Sequence, residues 1–191
     1  MHRFMSIMDT RFPLQEAPNP SARKVIESCI ATMNLDHSVN SWFDERTQAL
    51  RGPYAALSYS PYMVEPLFVS GRMLYNHEIC KPRNRELAIM GLLSLYDAPV
   101  IAAEHRHIAA QIGISSEQFG EGLAGNEPTG LSEEECMAYK LGRILPTLRG
   151  PLEYSIWKEV NEKMPKSELV GVCHIVGGYR WMTLLEQIGG V

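Results

Sequence analysis

Apolar residues recur along this chain at intervals of three and four rather than in alternation, and that period predicts helices over most of its length. The first is marked by Ala22, Val25, Ile26, Cys29, Ile30 and Met33, with Asn19 placed to cap it and Pro20 to open it. A second, carrying Trp42, Phe43, Thr47 and Leu50, is expected to end before Gly52-Pro53, and the aromatic run Tyr54, Tyr59, Tyr62 follows. Ser60-Pro61 restarts a helix through Tyr75. Pro82 opens the most apolar segment, where Leu87, Ile89, Met90, Leu92, Leu93, Leu95 and Tyr96 leave little polar face, so this helix belongs in the centre. Asp97-Ala98-Pro99 breaks it, and the next helix runs to Gly113, a suitable C-terminal stop. Ser115 with Gln118, and Ser132 with Glu135, match the capping-box pattern and start further helices. After a turn at Gly150-Pro151, helices are expected from Glu153 to Lys163 and from about Pro165 to Gln187. No run combines alternation with β-branched enrichment and hairpin turn residues. The fold class is therefore all-α, with an irregular arm over residues 1–20 and one helical domain over residues 21–191.

Composition narrows the partners. At 45% hydrophobic and 21% charged residues the chain has ordinary globular usage, which argues against a disordered or fibrous protein. Eighteen Lys and Arg against 22 Asp and Glu leave a formal charge of -4 with no dense basic run, so nucleic acid and acidic membrane surfaces are poor partners. The opening residues lack the apolar core of a signal peptide and no stretch approaches a membrane span, which makes a cytoplasmic location the expectation. Cys29, Cys80, Cys136 and Cys173 stand 37 or more residues apart, which leaves no CxxC pair and no closely spaced zinc-ligand pair.

The candidate chemistry lies where ionisable groups interrupt apolar stripes. Ile101, Ile108 and Ile112 share one helix face, and His105 falls in the middle of it. Glu86 has Ile89, Met90 and Leu93 three, four and seven residues on, so its carboxylate projects from an apolar stripe as well. In an antiparallel hairpin turning near Asp97, Glu86 lies 11 residues before the turn and His105 eight after it. Their levels then differ by about 4 to 5 Å along the axis, within reach of a direct or water-bridged contact. Such a pair would form a proton relay. The plainer alternative has His105 donating to a backbone carbonyl and Glu86 capping its own helix, and both readings stand at this point. Glu104, His107 and Gln111 form a neighbouring polar stripe with the spacing of a solvated face. Glu104 and His107 alone could share a metal, with no signature to supply further ligands, so no metal is expected. Tyr54, Tyr179 and Trp181 are candidate pocket walls, and Arg85 or Arg106 could grip a substrate carboxylate.

The run Lys81-Pro82-Arg83-Asn84-Arg85-Glu86-Leu87-Ala88-Ile89, followed by His105 eight residues before Gly113-Ile114-Ser115, resembles the carboxymuconolactone decarboxylase family, which includes the AhpD alkylhydroperoxidases. Glu168-Leu169-Val170 with Gly177-Gly178-Tyr179, and Arg51-Gly52-Pro53-Tyr54 with Ser60-Pro61, extend the likeness over residues 45 to 189. The resemblance implies an AhpD-like helical bundle assembled as a trimer or hexamer, with Glu86 and His105 at the relay positions. The peroxidase branch also needs two cysteines seven and four residues before the histidine, where this chain has Ala98 and Ile101, so peroxidase activity is not expected. The decarboxylase branch implies chemistry without a metal or organic cofactor. The expected function is a cofactor-independent decarboxylase or isomerase acting on a small carboxylate, lactone or polyketide-like substrate. Catalysis would fall to His105 and Glu86, with Glu104 and His107 nearby. Alternatives on the same scaffold are a natural-product cyclase or isomerase, an antioxidant protein, and a non-catalytic binding protein.

Overall fold

A computed structural model describes residues 11–13, 22–31, 43–44 and 49–190. Among them the chain is predominantly helical, in the order α1 (Ala22–Ala31), α2 (Pro53–Leu57), α3 (Pro61–Leu74), α4 (Pro82–Leu93), α5 (Pro99–Gln111), α6 (Ser116–Leu123), α7 (Glu133–Ile144), a short 3-10 turn (Leu145–Thr147), α8 (Tyr154–Lys163) and α9 (Lys166–Gly189). No helix among the described residues is long and apolar enough to cross a membrane. The expected caps at Asn19 and Pro20, and most of the arm over residues 1–20, lie outside the described residues.

The helix starts follow from local chemistry. Ser115 accepts from the backbone N–H of Gln118 while the Gln118 side chain accepts from the N–H of Ser115, and Ser132 and Glu135 repeat the arrangement at the head of α7. Pro53, Pro61, Pro82 and Pro99 stand at first helical positions, where a missing N–H costs nothing. α5 ends at Gly113, whose φ of 80° admits the left-handed turn that an L side chain resists.

The expected helix through Phe43 and Leu50 is corrected. Those two residues face each other in an isolated antiparallel bridge, and the N–H of Asp44 donates to the carbonyl of Ala49 at 2.8 Å. Residues that pair in a bridge satisfied the same spacing that suggested a helix. Trp42 and Thr47 lie outside the described residues. The short helix α2 was not anticipated either, because Tyr54 was counted with an irregular aromatic run.

α4 occupies the centre, with every residue from Asn84 to Leu93 buried. It crosses α7 so closely that a Cβ on Gly91 would overlap the Tyr139 carbonyl and one on Gly142 would overlap that of Ala88. Two glycines therefore let the backbones touch, and Leu87, Met90, Met137, Ala138 and Leu141 fill the space around them. A second apolar cluster joins Ile26, Leu50, Tyr54, Leu57, Val64, Leu67 and Phe68 from the N-terminal helices. α9 serves both, giving Val172, Ile175 and Val176 to the first and Trp181 and Leu185 to the second.

Candidate proton-transfer site

α4 and α5 form the antiparallel hairpin expected of them, and Arg83 near the start of α4 reaches the C-terminal end of α5, donating to the Gly113 carbonyl at 2.9 Å. That register brings the two ionisable groups together. His105 Nδ1 lies 2.6 Å from Glu86 Oε2, with the side chains 3% and 0% exposed. The contact is the direct pairing allowed by the hairpin arithmetic and not the plainer alternative: the partner of His105 is a carboxylate on another helix, and Glu86 reaches across the hairpin rather than back to its own helix start.

Three further groups complete a closed circuit of contacts. Arg85 Nε donates to Glu86 Oε1 at 2.8 Å, and the Arg85 guanidinium sits 4.2 Å from the centre of the Tyr75 ring. The Tyr75 hydroxyl lies 3.0 Å from that of Tyr179, and the Tyr179 ring meets the His105 imidazole edge to face with centroids 4.7 Å apart. Glu86, His105, Tyr179, Tyr75 and Arg85 thus link in a ring drawn from the end of α3, from α4, α5 and α9. Among the described residues no buried side-chain nitrogen or oxygen lacks a hydrogen-bond partner.

The electrostatics favour an ionised Glu86 and two protonated phenols. Burial opposes ionisation of Glu86, but the attraction of His105 and Arg85 outweighs it and holds the carboxyl below the ordinary glutamate range. Glu86 is therefore an anion at neutral pH, so the Nδ1 facing it carries a proton and donates. That leaves Nε2 as the ring nitrogen able to take up and release a proton in acid–base chemistry. Burial first, and the Glu86 charge second, push the Tyr75 hydroxyl upward; burial and then Tyr75 do the same to Tyr179. Both phenols stay protonated. Two hydroxyls bring two protons and spend one on each other.

The remaining candidates separate. Glu104 is half-buried, and its charge is felt by Tyr54 and Tyr75 after the larger effect of burial on both. His107 is half-buried and shares a solvent-side contact of 3.0 Å with Gln111, one turn on. Arg106 is exposed and lies over the Phe119 ring at 4.8 Å, so it is not joined to the circuit. Tyr54 is buried and stacked on Phe68 with centroids 6.1 Å apart, and Trp181 packs into the same second cluster. Those two wall the N-terminal core, while Arg85 and Tyr179 stand beside the pair. Among the described residues no group of three or more His, Cys, Asp or Glu is placed to hold a metal ion.

Sequence reasoning missed Tyr75, which was seen only as a helix end, missed Glu186 altogether, and noted Glu168 only within the family likeness and not as a buried group. A signal for the glutamates was present: Lys81-Pro82 and Ala98-Pro99 open helices without a Ser, Thr, Asp or Asn to cap them. No two of the four cysteines form a disulfide, and burial raises each thiol, Cys136 to about 11. The chain matches no protein-family model, no curated protein and no solved structure.

Proposed function

We propose that the protein is a cofactor-independent enzyme of the decarboxylase or isomerase type, with His105 as the proton-transfer group and Glu86 as the residue that orients it. One observation carries this reading: a carboxylate and an imidazole meet at 2.6 Å in a place almost closed to water. Buried charge is costly, and a buried anion held to a histidine by a short hydrogen bond is an arrangement suited to moving protons. Glu86 fixes the tautomer, so neutral His105 takes a proton through Nε2 and the imidazolium returns one from the same atom. In a decarboxylation, CO2 leaves, its bonding electron pair passes into the substrate's own electron sink, and His105 in its imidazolium form protonates the resulting carbon through Nε2 and regains that proton from water. In an isomerisation the same nitrogen removes a proton from one carbon and delivers it to another.

The substrate class follows the resemblance to the decarboxylase branch: a small activated carboxylate, lactone or polyketide-like molecule. Arg85, with one nitrogen committed to Glu86, and the protonated Tyr75 and Tyr179 are the neighbouring donors suited to an anionic or carbonyl oxygen. A thiol peroxidase is disfavoured because burial first of all holds every thiol in the unreactive protonated form. The AhpD-like assembly is part of the same proposal, and the exposed Val170, Leu184 and Ile188 along α9 are consistent with a face that a second subunit covers. A panel of β-keto acids, carboxylated lactones and polyketide mimics incubated in D2O tests the function. CO2 release or deuterium uptake at carbon is expected, and it should fall by ~10² to 10⁴ in His105→Gln. Undiminished turnover by that variant would contradict the assignment.

A further inference from the structure

α9 is more than a wall of the bundle. The N–H groups of a helix's first turn have no acceptor within the helix, and α4 and α5 begin with Lys81 and Ala98, whose side chains provide none. α9 provides one for each. Glu168 Oε1 accepts from the N–H of Lys81 at 2.9 Å, from Asn84 Nδ2 at 2.7 Å and from Cys80 Sγ at 3.3 Å. Glu186 accepts from the N–H of Val100 through Oε1 at 2.7 Å and from that of Ile101 through Oε2 at 3.2 Å. Both carboxylates are buried.

Their spacing matters. Glu168 and Glu186 are 18 residues apart on one unbroken helix, which is five full turns or ~27 Å on a single face. Tyr179 lies 11 residues after the first and seven before the second, within about 20° of the same direction. One face of α9 therefore holds the start of α4 at one end of the hairpin, the start of α5 at the other, and the His105 ring between them. Antiparallel helices slide along each other more easily than they separate, because sliding preserves most apolar contact. A slide of ~2.5 Å, under half a helical turn, would lengthen the 2.6 Å contact between His105 and Glu86 to about 3.6 Å even for a bond running straight across the two helices, out of hydrogen-bond range.

We propose that Glu168 and Glu186 are positioning residues of the Glu86–His105 pair: clamped at both ends of the hairpin, they set the axial register in which Nδ1 and Oε2 meet. The proposal rests on the proton-transfer reading for its consequence in catalysis, and on geometry alone for the clamp. It carries an asymmetry. Glu168 uses a single oxygen for all of its partners, so glutamine, which keeps one carbonyl oxygen, should replace it. Glu186 uses both oxygens on two N–H groups, so the amide of glutamine would turn a donor toward a donor.

The test needs no substrate. In the full-length protein labelled with ¹⁵N-histidine, the Nδ1 proton of His105 gives an NMR signal whose water-exchange rate reports how often the pair opens; Glu86→Gln assigns it. Glu168→Gln should exchange like the native protein, whereas Glu168→Ala and Glu186→Gln should exchange at least about tenfold faster. Tyr139→Phe, which removes a buried hydrogen bond from Tyr139 to the Gly122 carbonyl, controls for destabilisation and should leave the signal unchanged. Should an alanine variant not fold, the contrast between the two glutamine variants decides. Native exchange in a folded Glu186→Gln, equal damage from Glu168→Gln and Glu186→Gln, or the same acceleration in Tyr139→Phe would each overturn the proposal. Absence of turnover with intact clamp behaviour would instead remove the enzyme reading alone.

Discussion

Two histidines on α5, only two residues apart in sequence, show what separates a site from a polar surface. His107 meets Gln111 one turn along its own helix, at 3.0 Å and on the solvent side. His105 meets Glu86 from a different helix at 2.6 Å, with neither side chain more than 3% exposed. The first contact is made by helical spacing alone and competes with water for every hydrogen bond, so it is worth little. The second exists only because α4, α5 and α9 pack in one register, and it is flanked by a buried cation and two protonated phenols. The difference lies in burial and tertiary placement rather than in residue type.

The comparison breaks most completely at Glu86. Glu86→Ala leaves the Arg85 guanidinium, itself 4% exposed, without its anion, and loss of one partner from a buried pair typically costs ~3 to 5 kcal/mol. Chemical denaturation should show that loss, and a stability within 1 kcal/mol of native would mean that Arg85 finds another partner. Acid provides the next effect. The folded Glu86 carboxyl lies below its ordinary value of 4.5, so the unfolded chain takes up the proton first as pH falls. Its contribution to stability is complete above pH 4.5 and is lost as pH drops through the folded value. Glu186, raised first by burial despite its two backbone donors, works in the opposite sense: stability falls as pH rises from 4.5 through its folded value. Stability measured against pH for the native chain and for Glu86→Gln should therefore keep a constant gap above pH 4.5 and converge as pH falls below it. A gap that does not narrow on acidification would contradict the ionised state of Glu86.

Smaller effects belong to the outer face. Arg106→Ala removes the contact with Phe119, a loss of about 0.5 to 1 kcal/mol at an exposed site. His107→Gln should change stability by less than ~0.5 kcal/mol and leave turnover unchanged, as substitutions on solvated faces do. A large defect in His107→Gln would erase the contrast between the two histidines.

Much of this arrangement was legible because its causes are local. Ser115 with Gln118 and Ser132 with Glu135 announce helix starts within four residues, and a helix apolar on nearly all sides, as Leu87 to Leu93 is, has nowhere to go but the centre. Hairpin arithmetic then placed Glu86 and His105 within about 4 to 5 Å of each other along the axis. Register across longer stretches was not legible: nothing in the spacing around Tyr75 points to Tyr179, 104 residues away, or from Glu186 to Val100. The helix expected through Phe43 and Leu50 failed for the converse reason, since two residues that pair in a bridge imitated helical spacing. Tyr54 was legible as an aromatic worth noting, but its place against Phe68 follows from packing of the N-terminal helices that only the folded chain reveals.

The central claim is that Glu86 and His105 act as a unit in proton transfer, and a double-variant cycle on kcat tests it most directly. With a substrate from the D2O panel, kcat would be measured for the native protein, His105→Gln, Glu86→Gln and the combination, each at matched folded fraction. His105→Gln should lose ~10² to 10⁴, Glu86→Gln should lose less, and the double variant should be no slower than His105→Gln, because an orienting residue has nothing left to orient. Losses that multiply, or a folded His105→Gln with native kcat, would contradict the account.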